Sequence, residues 1–195
     1  LGRNIPQLLG NYQDGDIAYV DLNNDGVVDA RDKKMLGNSY PRTVLGIDAN
    51  LQYKNWGLYI LGTAELGLNV WKNNAYYQNK GEGKYSVLAL DRWHPENNPN
   101  GTYPRLTTTE GENNFVNSSF WLGNGSYFRL KNVELSYTIT NKKENALAKK
   151  IKIFGRGTNL FSLSKEKDLD PELINAGINN YPVYRTLTGG VTVTF

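Results

Sequence analysis

The feature that most constrains this chain is alternation. In "TVLGIDANLQY", residues 43–53, Leu45, Ile47, Ala49, Leu51 and Tyr53 are apolar, while Gly46, Asp48, Asn50 and Gln52 are small or polar. Period two sustained over about ten residues predicts a strand with one apolar and one wet face. The pattern returns after Lys54-Asn55, where Leu58, Ile60, Ala64, Leu66, Leu68 and Val70 oppose Tyr59, Thr63, Glu65 and Asn69. It returns again in Val133, Leu135, Tyr137 and Ile139, in Ile151 and Ile153, and in Leu187, Gly189, Val191, Val193 and Phe195. Strands are therefore expected at 43–53, 56–71, 121–140, 151–161 and 185–195. No helical period of useful length separates them, so the chain is expected to be all-β and antiparallel, a meander of neighbouring strands.

The connections alternate in length. Those at 54–55 and 141–150 are short, the latter with room for one helical turn. Those at 1–42, 72–120 and 162–184 are long, polar and without period. Long loops at one end and tight turns at the other are the asymmetry of outer-membrane barrels. The strand lengths agree, since about ten residues cross a membrane at a tilt whereas strands of soluble domains average about 5–6. Tyr53, Trp56, Trp71, Trp121, Tyr127 and Phe195 fall near strand ends, where interfacial aromatic girdles lie. In such a barrel Asp48, Asn50, Gln52, Glu65, Asn69, Glu134 and Arg156 face the lumen and the apolar side faces lipid. Every backbone N–H and C=O must then be paired, so the sheet must close. Closure takes about eight strands at least, so the chain is expected to be the C-terminal part of a larger barrel. A start at Leu1 without a methionine or signal peptide fits the same expectation.

Composition narrows the alternatives. No run approaches the ~18 apolar residues of a membrane-spanning helix. A net charge of +3 with scattered basic residues gives no nucleic-acid footprint. The absence of cysteine removes disulfides, thiolate catalysis and zinc–sulfur sites.

Several pieces of the sequence carry a family resemblance. They run in order: "GDIAYVDLNNDGVVDARDKKMLGNSYPRTVLGIDANLQYKNWGLYI", "YPRL" at 103–106, "SSFWLGNGSYFRLKNVELSYTI", "GRGTNLFSLSK", "DPE" at 170–172, "YPVYR" at 181–185 and the terminal "GGVTVTF". Together they resemble the C-terminal portion of SusC/RagA-type TonB-dependent outer-membrane transporters over nearly the whole chain. That resemblance implies a barrel of about 22 strands enclosing an N-terminal plug. It implies active import of oligosaccharides or peptides across the bacterial outer membrane. It also implies a TonB complex acting through a plug outside this chain, and a SusD-type surface lipoprotein as lid. No enzymatic activity is expected. A secreted, calcium-stabilised β-rich adhesin or carbohydrate-binding module is the rival reading, and a surface hydrolase a third.

Within 1–42, "DLNNDGVVDARD" at 21–32 is written as a calcium loop. Asp21, Asn23 and Asp25 take its first, third and fifth positions, and Gly26 the sharp turn. Val27 offers a carbonyl, while Asp29 and Asp32 take the ninth and twelfth. Alternate side chains of a curling loop converge on one point, which suits a cation taking about 6–8 oxygens. Asp32 is shorter than the usual bidentate Glu, and only "ARDKKML" follows as a short helix before Gly37. The pattern is closer to a dockerin-like variant than to a sensor. A plain Asn-Asp-Gly turn would not require Asp21, Asp29 and Asp32, so a structural calcium ion is expected.

Trp71, Tyr76, Tyr77, Tyr85, Trp93 and Tyr103 lie in or beside the 72–120 loop. Such aromatic faces stack on sugar rings or anchor a partner protein, or they pack the loop against itself. His94, the single histidine, is expected to have a surface or loop-packing role. Glu96, Glu110, Glu112 and Asp91 would be needed for a glycosidase pair, and are read as solvated loop charge.

Overall fold

The computed structural model describes residues 13–108, 113–143, 147–175 and 179–195. The chain divides into two compact units. The first comprises Leu1–Gly37, Val70–Gly123 and Ile174–Asn180, and the second Asn38–Asn69, Asn124–Leu173 and Tyr181–Phe195.

The second unit is built on five strands: β1 (Thr43–Tyr53), β2 (Trp56–Leu66), β5 (Tyr127–Thr140), β6 (Lys150–Ser164) and β7 (Thr186–Thr194). They form one antiparallel sheet in the order β1-β2-β5-β6-β7. Between β2 and β5 in the chain come two three-residue strands, β3 (Asn69–Trp71) and β4 (Leu122–Asn124), which pair with each other. β1 and β2 have 11 residues each, β5 has 14 and β6 has 15, well beyond the strands of ordinary soluble domains.

Two expected strands are broken. The run 56–71 stops at Leu66 because Gly67 takes φ +75, close against the Arg42 side chain. The run 121–140 begins in earnest only at Tyr127, after Gly125 and Ser126 turn back. Gly67 donates to Ser126 Oγ at 3.0 Å and Gly125 donates to the Leu68 carbonyl at 3.0 Å. β6 runs three residues further toward the loop end than its alternation suggested, to Ser164. Bulges near Lys131 and near Asn159, which has φ +50, absorb the extra residues. No α-helix occurs among the described residues, and none of their helices is long and apolar enough to cross a membrane. The helical turn anticipated within 141–150 falls partly on 144–146, outside the described residues.

The register carries the two-faced pattern across the sheet. On one face lie the rows Tyr53–Trp56–Tyr137–Ile153–Val191, Leu51–Leu58–Leu135–Gly155–Gly189 and Ala49–Ile60–Val133–Gly157–Leu187. Leu45, Ile47, Leu51, Leu135, Ile153, Phe161, Leu163, Leu187 and Val191 on this face are exposed. On the other face lie Asp48, Asn50, Gln52, Tyr59, Glu134, Lys152, Arg156 and Thr188. An apolar face this wide and uncovered is what a lipid-facing wall presents.

The first unit is an irregular loop body with short 3-10 turns at Ala30–Asp32, Val87–Asp91, Asn113–Phe115 and Ser119–Trp121. Its core holds Val28, Val70, Tyr77, Ala89, Tyr103, Trp121 and Ile174 with the buried polar residues Asn79 and Asn114. Buried amides are unavoidable where so much backbone is irregular, because each N–H and C=O needs a partner. Asn114 accepts from Ile17 N–H at 2.7 Å and donates to Asp16 at 2.8 Å, and its carbonyl accepts the Trp121 indole N–H at 2.7 Å. Trp121 is therefore a core residue of this unit, not part of a girdle. Tyr127, also expected at the interface, is buried on the polar face in register with Glu65.

Candidate functional site

The polar face of the sheet is the most developed charged surface of the described residues. Strand alternation places Glu134 and Arg156 opposite each other in the β5–β6 ladder, with Lys152 four residues from Arg156 on the same face. Glu134, 9% exposed at its side chain, accepts from Lys152 on one oxygen at 2.7 Å and from Arg156 on the other at 2.5 Å. The Phe154 ring lies between the two cations, 5.8 Å from the ammonium and 5.4 Å from the guanidinium. Nearer the loop end, Arg129 is 4% exposed and reaches Asp170 at 2.5 Å and Glu172 at 3.0 Å. Lys131 approaches Glu172 at 3.4 Å. Of these groups alternation had set Glu134, Lys152, Phe154 and Arg156 on the polar face, but not Arg129 with its partners. Arg129 lies just upstream of the clean alternation, and its carboxylate partners are 41 and 43 residues away, beyond the reach of periodicity.

The loop 21–32 curls as its residue types dictate. Asn24 has φ +58 and Gly26 φ +83. Asp21 accepts from Gly26 N–H at 2.8 Å, Asn23 from Asp25 N–H at 2.9 Å, and Asp25 from Val27 N–H at 3.0 Å. Asp32 closes the loop by accepting from Leu22 N–H at 2.8 Å and Asp29 N–H at 2.7 Å, and the latter bond holds its carboxyl below the usual carboxylate range. Arg31 lies against Asp25 at 2.7 Å and Asp29 at 2.8 Å. Its side-chain hydrogen bond lowers the Asp29 pKa most. The carboxylates are turned to backbone N–H groups and to this guanidinium. Among the described residues no three acidic or histidine side chains gather as a metal cluster. The donor set nonetheless suits a hard cation: it is all oxygen, one buried Asp21 oxygen lacks a partner, and Asp25 with Asp29 already hold a positive group.

The aromatic residues of the 72–120 loop divide. Tyr77 and Tyr103, 1% and 7% exposed, are packing residues. The Tyr103 hydroxyl donates to the Tyr77 carbonyl at 2.8 Å and accepts from Asn79 N–H at 3.0 Å, and burial pushes its pKa up. Trp93 lies against Gly15, whose φ of +85 already favours glycine, so close that a β-carbon there would overlap the ring. Tyr76 meets Tyr77 edge-on at 5.2 Å, and Trp71 is half-buried with its N–H donating to Asn175 at 3.3 Å. Tyr85 is exposed, its hydroxyl donating to the Gly81 carbonyl at 2.6 Å. His94 accepts Glu96 and Asn97 N–H on Nδ1 at 3.3 and 3.2 Å, a loop-closing role as expected. Asp91 is bound by Thr102 through side chain and backbone, which lowers its pKa. Glu110 and Glu112 lie outside the described residues.

Comparison with known proteins decides the family. Over 205 residues the chain is 32% identical to "TonB-dependent receptor P26" of Formosa agariphila, a match covering 97% of this chain. The chain belongs to the TonB-dependent receptors. They are outer-membrane β-barrel proteins and not enzymes. The chain is also 26% identical over 181 residues to "TonB-dependent receptor SusC" of Bacteroides thetaiotaomicron, covering 91% of this chain. No family model matches. In fold it is similar to the RagAB peptide importer in its "open-open" state, with a TM-score of 0.63 at 22% identity over 82% of this chain. The "closed-closed" state gives 0.65 at 21% over 83%. The chain spans 20% of the P26 receptor, 17% of SusC and 18% of the RagAB chain. The five-stranded antiparallel sheet thus corresponds to a segment of a TonB-dependent barrel.

Proposed function

We propose that this chain forms wall and extracellular loops of a TonB-dependent importer, a receptor that carries oligosaccharides or peptides inward across the outer membrane. The observation that carries the reading is the two-faced sheet. One face presents exposed aliphatic and aromatic side chains to lipid, and the other carries the paired charged groups of Glu134, Lys152, Arg156 and Arg129. Family membership supports the direction of transport, and the likeness in fold to the RagAB peptide importer is in keeping with the peptide class. On this reading the apolar face meets outer-membrane lipid. The polar face lines the lumen, and a SusD-type surface lipoprotein covers the mouth. TonB acts through a plug outside this chain. No nucleic acid is involved.

A calcium ion held by Asp21, Asn23, Asp25, the Val27 carbonyl, Asp29 and Asp32 would tie down an extracellular loop. The unpartnered Asp21 oxygen and the cation already lying against Asp25 and Asp29 support that assignment. Of the six loop aromatics, Tyr85 is exposed and Trp71, Tyr76 and Trp93 are partly accessible, which leaves these four with surface for cargo.

The test is uptake. Cells carrying or lacking the complete receptor are given fluorescein-labelled maltooligosaccharides or labelled peptides, with TonB intact or deleted. Accumulation of one ladder that requires both receptor and TonB is expected. Equal accumulation without the receptor, or without TonB, overturns the proposal.

A further inference from the structure

The connection that follows β6 is a long polar loop by sequence, and its first part folds back over the polar face of the sheet. Ser164 Oγ donates to the Glu166 carbonyl at 2.5 Å, and Glu166 accepts from Asn124 N–H at 3.2 Å. The chain then presents Asp170 and Glu172 to Arg129. The guanidinium spends separate donors on the two: Nη2 goes to Asp170 at 2.5 Å and Nε to Glu172 at 3.0 Å. Asp170 also accepts from Glu172 N–H at 3.0 Å, which fixes the spacing of the two carboxylates around the buried Pro171. Arg129 is one of the most buried charges described, 4% exposed, and its partners are 23% and 28% exposed. A buried guanidinium is tolerated only when it is paired and hydrogen-bonded. Here both partners come from a segment with no strand or helix of its own.

We propose that Arg129 is a positioning residue that latches residues 165–173 against the inner wall, making this segment a strap that lines the passage and limits its width. The inference rests on the reading that the polar face is the lumen. A chain packed face-on against a sheet stands about 10 Å off it, so the strap takes that depth from the mouth on this sector. Only Arg supplies two donors in the fixed fork that spans both carboxylates. Lys keeps the charge but cannot bridge them.

The latch is tested in the complete receptor in its own outer membrane. Intact cells are treated with trypsin, and cleavage after Lys165 and Lys167 is followed by mass spectrometry. Arg129→Met should be cut about tenfold faster or more than the native receptor, because a buried pair is broken and the strap opens. Arg129→Lys should fall between. Heat-dependent gel migration identifies which variants retain the folded barrel. Equal cleavage of the three folded receptors overturns the latch. Uptake of the labelled maltooligosaccharide and peptide ladders then tests width. Arg129→Met should admit longer members than the native receptor does, and an unchanged cut-off with a released strap overturns the limiting role. A native receptor that takes up neither ladder would instead refute the proposed function, and the tryptic result still decides the latch.

Discussion

The Phe154 ring lies across Gly190, so close that a single β-carbon there would overlap it. The two residues face each other in the β6–β7 ladder on the polar side of the sheet. Their neighbours Gly155 and Gly189 are paired in the next rung, on the apolar side, and a β-carbon at either would meet nothing within 4 Å. Adjacent glycines therefore have different reasons to be glycine.

That difference is measurable. Gly190→Val forces Phe154 out of its place between Lys152 and Arg156, and should lower stability by about 1–3 kcal/mol, the usual cost of overpacking. Gly189→Val adds a β-branched side chain to an open apolar surface. It should stay within about 1 kcal/mol of the native receptor, on the stabilising side. Urea denaturation of the complete receptor in detergent, followed by tryptophan fluorescence, distinguishes the two. Equal losses would mean that the ring does not occupy the Gly190 position.

Glu134 is the hub of the charges around that ring. Glu134→Gln keeps the shape but removes the anion that both Lys152 and Arg156 contact. The two cations are 42% and 44% exposed at their side chains, so water compensates part of the loss. A cost of about 1–3 kcal/mol is expected, in keeping with hydrogen bonds to charged groups. A double-mutant cycle with Arg156→Gln should give a coupling of at least about 0.5 kcal/mol. Strict additivity would show that the pair contributes nothing in the receptor.

These residues also mark what could be read from the sequence. Strand positions and faces were legible because the side-chain period of a strand is two. Asp48, Asn50, Gln52, Glu134 and Arg156 fall on the polar face as alternation required. The break at Gly67 was not legible, because the apolar count continued through it to Leu68 and Val70; the turn at Gly125–Ser126 precedes the alternation and was absorbed into the expected strand. The Trp121 environment was hidden for a related reason. Trp121 stood at the expected start of a strand, but the indole is satisfied by the Asn114 carbonyl in irregular chain. The Arg129–Asp170–Glu172 latch joins residues more than 40 positions apart, a relationship carried by the fold alone. The 21–32 loop was legible residue by residue, since its turns follow from Asx side chains and glycine. The engagement of Arg31 with Asp25 and Asp29 was not.

That loop should respond to chelation and to acid in different ways. In the complete receptor, removing divalent ions should raise tryptic cleavage after Arg31, Lys33 and Lys34 and lower bound calcium. Asp25→Ala should do both without chelator, and unchanged calcium content with unchanged protection would refute the site. Asp29 and Asp32 have lowered folded pKa values, caused first by the Arg31 side chain and by Asp29 N–H respectively. A depressed carboxyl pKa stabilises the fold above the unfolded value, about 4, and that contribution disappears as pH falls through the folded value. The loop should thus keep its tryptic pattern down to about pH 5 and lose it only in stronger acid.

Tyr19 titrates in the opposite sense. Burial, the largest cause, pushes its pKa up to about 12. Its hydroxyl donates to the Asn113 carbonyl, within the buried amide cluster of the loop unit. Because the folded pKa lies above the unfolded one, the neutral phenol stabilises the loop fully below about pH 10. That stabilisation is lost as pH rises from there toward the folded value. Tyr19→Phe leaves the Asn113 carbonyl without its donor and should cost about 1–3 kcal/mol. Difference absorbance between the native receptor and this variant should place one tyrosinate transition well above the ordinary phenol value of about 10. A transition in that difference near the ordinary phenol value of about 10 would show that the Tyr19 hydroxyl is not buried against Asn113.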